Sequence, residues 1–451
     1  MTDNNSGNGQ SRRTFLKTAA VAGAALTAEA LAPAVYAAGS DTIKVGLVGC
    51  GGRGTDACNN VLHAAKGVKI VAVGDVFSNH VKGSRSRLID LAGDDEVKKL
   101  GNGVDLPEDR CYTGLDAYKK VINNPEVNYV ILATPPGFRP LHIEEAVTAG
   151  KNLFTEKPVG TDGPGIRQVL AAYDTSVKKG LHVAAGTQRR HQGGYIETMK
   201  RIHDGAIGDL LLLRAYWNGG GIWFKKRDGL AKYPEEKTEL AYQLYNWYHF
   251  CWICGDHIVE QHIHNLDVCN WAMRDHPIMA RGMGSRVGHS DARPDGDPKE
   301  VGNIFDNFAI EYVYPSGARM ISQCRHIPGC WESVSEAGHG TKGPFATQDH
   351  PATFFVNGKR VAGGDKISPY VTEHTDLIAS IRDDKPLNEL KNVAESTLTA
   401  IMGREAGYSG KEVTWDAILN SKIDFVDEAN LRWDTDMPVP PVPVPGKHKF
   451  A

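Results

Sequence analysis

The 451-residue sequence predicts an α/β protein, with an N-terminal doubly wound parallel sheet and a C-terminal α/β domain carrying an open, mostly antiparallel sheet. Three observations predict it. Short, continuously apolar runs alternate with helical spacings as far as Gly186. A glycine-rich turn joins the first of these runs to a helix. Beyond Gly186 apolar residues alternate with polar ones, which buries one strand face instead of two.

The chain is too long for one ordinary core, so two domains with appendages are expected: an N-terminal segment over 1–38, a first domain over 41–186, a second over 187–435 and a proline-rich tail over 436–451. Apolar residues at 41% and charged residues at 23% fit a globular chain. A net charge of −3 provides no basic field for gripping nucleic acid, so that class of partner is set aside.

Ser11-Arg12-Arg13-Thr14-Phe15-Leu16-Lys17 opens the first segment, an Ala-rich run follows, and Val35-Tyr36-Ala37-Ala38 ends it with small residues. Paired arginines, weak hydrophobicity and a small-residue cleavage site form a twin-arginine export signal, which predicts a periplasmic or otherwise exported protein handled by that machinery. The run is too weakly apolar for a stable membrane anchor. Export in the folded state suits a protein that takes up a cofactor in the cytoplasm. Eight cysteines in a chain of this size read mainly as buried small hydrophobes, and Cys251-Trp252-Ile253-Cys254 sits among aromatics without a thioredoxin-like context.

Five parallel strands are expected at Ile43–Val48, Lys69–Val73, Val127–Ala133, Asn152–Thr155 and Leu181–Ala185, with helical spacings such as Ile143–Val147 between them. Alternating stretches at Asp209–Trp217, Asn307–Tyr314 and Ala318–Cys324 predict the second sheet, with helices over its buried face. The tail from Met437, Pro-Val-Pro-Pro-Val-Pro-Val-Pro, is expected to lie extended on the surface.

Gly49-Cys50-Gly51-Gly52-Arg53-Gly54 follows the first strand and opens a helix, the arrangement of a Rossmann dinucleotide site. The backbone of Gly49, Gly51, Gly52 and Gly54, with Arg53 between them, can approach a pyrophosphate at the helix N-terminus. Asp75 ends the second strand, where a carboxylate binds ribose hydroxyls. Val76 and Phe77 follow it with no immediate cation for a 2′-phosphate, so NAD is favoured over NADP.

Thr134-Pro135-Pro136, with His142 beyond it, ends the third strand, and Glu156-Lys157-Pro158 ends the fourth. Both ends line the crevice where ligands bind in such sheets, and Lys157 there can move a substrate proton. On a continuous helix, His257, Glu260, Gln261 and His264 share one face, next to the aromatic run from Tyr242 to Trp252. That face suits a sugar pocket, a structural polar network or a metal site. The HExxH pattern is absent, and no metal is assigned.

In these motifs, and in His264-Asn265-Leu266-Asp267, the sequence from about Ile43 to Leu419 resembles the glucose–fructose oxidoreductase / inositol dehydrogenase / rhizopine-catabolism (Gfo/Idh/MocA) family. The resemblance implies a Rossmann domain, a C-terminal domain often used to form homo-oligomers, and oxidation or reduction of a sugar or polyol carbon. It also implies that Lys157 assists proton transfer and that the family's Asp-xxx-His pair falls on Glu260 and His264. Glu260 departs from the family's Asp. Gln188, Arg190 and His191, then Gly219–Trp223, fall where substrate-facing loops are expected, and Trp223 can stack on a pyranose. Lys157, His264 and Glu260 are therefore the catalytic candidates. Gln188, Arg190, His191, Trp223, His257 and His264 are the substrate-binding candidates. Thr134, Pro135, His142, Glu156 and Lys157 join the glycine loop and Asp75 in the cofactor set.

Three functions remain open at this level. One is a dehydrogenase acting on a sugar, glycoside or cyclitol. Another is a glycoside hydrolase or lyase working through transient C3 oxidation, and the third is a non-catalytic NAD- or sugar-binding protein.

Overall fold

In a computed structural model, residues 42–450 are described apart from 228–236, 288–295, 349–351, 364–366 and 426. The expected export signal over 1–38 lies outside the described residues.

Seven parallel strands form the first sheet: β1 (Ile43–Val48), β2 (Val68–Asp75), β3 (Gly103–Val104), β4 (Cys111–Thr113), β5 (Tyr129–Leu132), β6 (Asn152–Thr155) and β7 (Val183–Ala185). Their order is β3-β2-β1-β5-β6-β7, with β4 also paired to β2. All five apolar runs became strands because β1, β5, β6 and β7 are buried on both faces, leaving no polar side to break the run. The order reverses between β1 and β5, and the crevice at such a switch point takes ligands. Helix α1 (Gly52–Ala64) starts there.

The second sheet has nine strands: β8 (Leu210–Gly219), β9 (Met279–Ser285), β10 (Asn307–Val313), β11 (Arg319–His326), β12 (Ser333–Gly340), β13 (Gly343–Gln348), β14 (Thr353–Val356), β15 (Lys359–Arg360) and β16 (Val413–Thr414). All its pairings are antiparallel except β8 with β11. β11 alternates strictly between buried and open positions, as its sequence predicts. Helices α2 (Ile263–Met273) and α4 (Leu390–Ser409) pack on this sheet.

Helix α3 (Pro369–Asp383) belongs to the second half of the sequence but packs on α1 and on the first sheet. Its Leu377, Ile378 and Ile381 share a core with Val45, Leu47 and Ile131. Returning this helix buries one face of the parallel sheet that the first 186 residues leave short of apolar cover.

The tail departs from the expectation of a merely surface-lying segment. It has no helix or strand, but Met437 is buried, Phe450 packs on the core, and His448 Nε2 lies 2.7 Å from the Glu405 carboxylate. Proline removes regular hydrogen bonding without preventing side-chain packing or terminal anchoring.

Candidate active site

The glycine loop sits where β1 meets α1. Gly49 has φ of 98°, and a Cβ there would lie 2.7 Å from the Ala133 carbonyl carbon, so both torsion and space demand glycine. A Cβ on Gly54 would meet the Gly49 oxygen at 1.9 Å, which fixes the close approach of helix to strand. Gly51 and Gly52 face open space. No side chain caps the α1 N-terminus and its first turn holds no acid, leaving bare amides and a positive dipole end for phosphate.

Asp75 closes the second strand beside this loop. Its Oδ2 accepts from the Cys50 amide at 2.7 Å and its Oδ1 from the Phe77 amide at 2.9 Å. The carboxylate is thereby aimed by backbone. Arg53 ties the loop to β6 and α3: Nε donates to Glu156 Oε1 at 2.5 Å and Nη2 to Glu373 Oε1 at 3.0 Å. Burial opposes charge on Glu156, but Arg53, Lys157 and Arg139 outweigh it and hold its carboxyl below the ordinary range.

Beyond β5, Thr134 Oγ1 lies 3.1 Å from His142 Nδ1. Burial, helped by the positive charge of Arg139, pushes His142 down to about 3, so the ring is neutral. Arg139 also donates to the Thr134 carbonyl at 2.7 Å and to that of Pro158, joining the ends of β5 and β6.

Lys157 follows β6 directly, with a cis bond to Pro158. Its ammonium is buried and donates to the Glu260 carbonyl at 2.6 Å and to Glu260 Oε1 at 3.2 Å. His264 lies on the same cleft, its ring stacked on Trp217 at 5.8 Å. Burial first, then the charges of Lys157, Arg189 and Arg53, push its pKa well below the ordinary range, so it is neutral. Gln188 and Trp223 complete this end of the cleft. Trp223 is 40% exposed and packs edge-on against Trp247 and His249.

The single helix expected from His257 to His264 does not exist. A short helical turn covers His257–Glu260, Gln261 ends it, and α2 begins at Ile263. Asp256 starts the turn with φ of 75°, held by the Phe305 amide at 2.7 Å and the Tyr408 hydroxyl at 2.5 Å. Glu260, Gln261 and His264 therefore reach the cleft, while His257 is fully buried against Asp256, Phe308 and His326.

Two more substrate-binding candidates are corrected. Arg190 makes a two-pronged pair with Asp267, both contacts at 2.8 Å. His191 pairs with Asp376 at 2.6 Å and Glu389 at 3.4 Å. Neither lines the cleft. A carboxylate partner offsets the cost of burying a cation, and the sequence pattern did not show those partners.

Tyr248, Tyr370 and Glu373 were missed. The aromatic run signalled a wall without saying which ring would face the cleft. Tyr370 and Glu373 come from α3, and no local signal connects them with a loop some 320 positions earlier. Among the described residues no group of three or more His, Cys, Asp or Glu side chains is placed to hold a metal, and no helix is long and apolar enough to cross a membrane. Burial pushes the Cys251 thiol up to about 12, against thiolate reactivity.

The residues present fit a dinucleotide. Bare amides and open space at Gly51 and Gly52 form a phosphate cradle, and Glu260 Oε2 and Gln188 Oε1 are buried polar atoms of the cleft wall without hydrogen-bond partners among the described residues. With Asp75 lining the same cleft, the first sheet is an NAD-binding Rossmann domain.

Residues 43–186 match the family model "GFO_IDH_MocA: Oxidoreductase family, NAD-binding Rossmann fold". The chain is 25% identical over 240 residues to an inositol 2-dehydrogenase of Gluconacetobacter diazotrophicus, covering 53% of this chain and 57% of the relative. It is also 27% identical over 226 residues to a glycosyl hydrolase family 109 protein of Saccharopolyspora erythraea, 46% of each. The chain thus spans about half the length of these curated relatives. In fold it is similar to scyllo-inositol dehydrogenase from Lactobacillus casei, solved with NAD(H) and scyllo-inositol: TM-score 0.59, 18% identity, 83% of this chain and 99% of that one.

Proposed function

We propose that this protein is an NAD-dependent oxidoreductase acting on a carbinol carbon of a sugar, glycoside or cyclitol. One observation carries the reading: a buried lysine ammonium, held twice by Glu260, lies in the same cleft as the bare glycine-loop amides. NAD, when bound, supplies the hydride acceptor or donor. Gly51 and Gly52 offer it backbone amides and Asp75 offers a ribose-binding carboxylate, which a 2′-phosphate would meet unfavourably.

Lys157 holds protons at a fixed point and can pass one to or from the substrate oxygen. Glu260 keeps that ammonium in place. His264, stripped of charge by its surroundings, can accept a hydrogen bond or a proton from a second hydroxyl. Relatives named inositol 2-dehydrogenase support the substrate class.

The relative named glycosyl hydrolase family 109 motivates a second reading, redox-neutral cleavage of a glycoside through transient oxidation. Native protein is incubated with added NAD, inositols and methyl glycosides while NADH and free sugar are followed, after identifying any nucleotide released by denaturation. Net NADH establishes the oxidoreductase; free sugar without NADH establishes the hydrolase or lyase. A protein that binds NAD and sugar and turns over neither is a binding protein, and the proposal fails.

We also propose twin-arginine export to the periplasm, carried by Arg12 and Arg13, and a homo-oligomeric state. Replacing both arginines with lysine is expected to keep the protein in the cytoplasm, and light scattering reads the oligomer.

A further inference from the structure

Tyr248 lines the cleft, is 1% exposed, and its hydroxyl is buried with no hydrogen-bond partner among the described residues. Three other atoms on residues of the same cleft share that condition, Glu260 Oε2, Gln188 Oε1 and Arg139 Nε. One unsatisfied buried group is unusual; four in one cleft mark a surface built for a polar ligand.

The ring of Tyr248 is held from behind. It stacks on His326 at 5.6 Å with an interplanar angle of 18°, and His326 lies 4.6 Å from His257. His257 Nδ1 is 2.8 Å from Asp256 Oδ1, and Asp256 is the left-handed residue that starts the broken helix. The phenol is thus positioned by packing, which leaves its O–H uncommitted. Burial first, and then the nearby charge of Glu260, raise its pKa well above the ordinary range, so the O–H stays protonated and available as a donor.

We infer that the Tyr248 hydroxyl contacts a hydroxyl of the substrate and, with Glu260 Oε2 and Gln188 Oε1, selects a neutral polyol bearing adjacent free hydroxyls. This rests on the reading that the cleft takes a sugar or cyclitol. Each alcohol group can donate to the carboxylate or amide oxygen and accept from the phenol. The charge balance favours a neutral ligand, because the cations Lys157, Arg53 and Arg139 that line the cleft are matched by the carboxylates Glu260, Glu156 and Asp75.

The test uses the full-length, NAD-loaded protein and Tyr248→Phe, which keeps the ring and its stack. Probes are myo-inositol, scyllo-inositol, methyl glucosides and their single-deoxy analogues, read by kcat/KM and by calorimetric Kd. Melting temperature and retained NAD serve as controls. The expected result is a loss of about 10- to 100-fold in kcat/KM or Kd for the preferred polyol, with both controls unchanged. On the one deoxy analogue that lacks the contacted hydroxyl, wild type and Tyr248→Phe should converge.

Equal constants for the two proteins on the parent polyol overturn the inference, as does an equal penalty on every deoxy analogue. A loss matched by a fall in melting temperature or NAD retention also overturns it, since it marks a structural role. Polyol binding without turnover or cleavage defeats the oxidoreductase and hydrolase readings alone, and the Kd ratio then decides for Tyr248. Wild type that binds no polyol overturns the inference itself.

Discussion

The Lys157 ammonium donates to both the backbone carbonyl and the side-chain carboxylate of Glu260, at 2.6 and 3.2 Å. The carbonyl is available because the helix breaks there. In a continuous helix it would accept from the amide of His264, which instead donates to the Gln261 carbonyl at 3.3 Å. The same break that sends His257 into the core therefore frees the acceptor that holds Lys157.

Replacing Lys157 with methionine keeps much of the side-chain volume and removes the proton carrier. Turnover is expected to fall by about 10²- to 10⁴-fold. NAD content of the purified protein should fall far less than turnover, because the glycine loop and Asp75 are untouched. Steady-state kinetics together with nucleotide quantified after denaturation check this, and an active Lys157→Met protein would remove the lysine from the chemistry.

The glycine loop separates fold from binding. Gly54→Ala would force a Cβ to within 1.9 Å of the Gly49 oxygen, so it is expected to lower stability by about 1–3 kcal/mol as well as NAD affinity. Gly51→Ala meets no atom within 4 Å and should leave urea unfolding nearly unchanged while weakening NAD binding. Denaturation midpoints and NAD titration of the two variants discriminate the roles, and a Gly51→Ala protein with full NAD affinity would show that the cradle is not where phosphate sits.

His264 is held neutral by burial and by three nearby cations. The acid limb of the pH–rate profile is therefore not expected near pH 6.5, where an ordinary histidine titrates, but well below it. Comparing kcat/KM in NAD-loaded protein at pH 5.5 and 7.5 tests this. An inflection near 6.5 that vanishes in His264→Gln would mean the ring is far better solvated than its 8% exposure indicates.

His191 behaves in the opposite way. Burial disfavours its charge, but Asp376 and Glu389 outweigh that and raise its pKa to about 10. A folded value above the ordinary 6.5 means that protonation stabilises the fold fully below about pH 6.5, and that this contribution is lost as pH rises through 10. His191→Gln should cost about 1–3 kcal/mol at pH 6, discounted because Asp376 is half exposed, and much less at pH 10. Urea midpoints at the two pH values measure the difference, and an equal loss at both would contradict the paired, protonated ring.

The first sheet was legible because its signals are local. A run such as Ile43–Val48 declares a doubly buried strand by itself, and the glycine loop, Asp75 and the Lys157 position follow from their places at strand ends. The polar residues past Gly186 were not legible in that way. Arg190 and His191 look like ligand-binding groups in sequence, yet their carboxylate partners come from positions 267, 376 and 389. Charge makes a residue conspicuous, but only its partners decide whether it faces a ligand or a core.

Sequence alone determined the strand order's raw material, the phosphate-binding turn and the candidate proton carrier, since each depends on neighbouring residues and backbone torsion. Tertiary structure decided the rest of the site. Nothing between His257 and Asp267 is a glycine or proline, so no local breaker ends that helix. The break accompanies Asp256, fastened by Phe305 and Tyr408 from distant parts of the chain in a left-handed conformation. Those long-range hydrogen bonds, made where water is excluded, separate His257 from Glu260 and His264 and bring the latter two to Lys157.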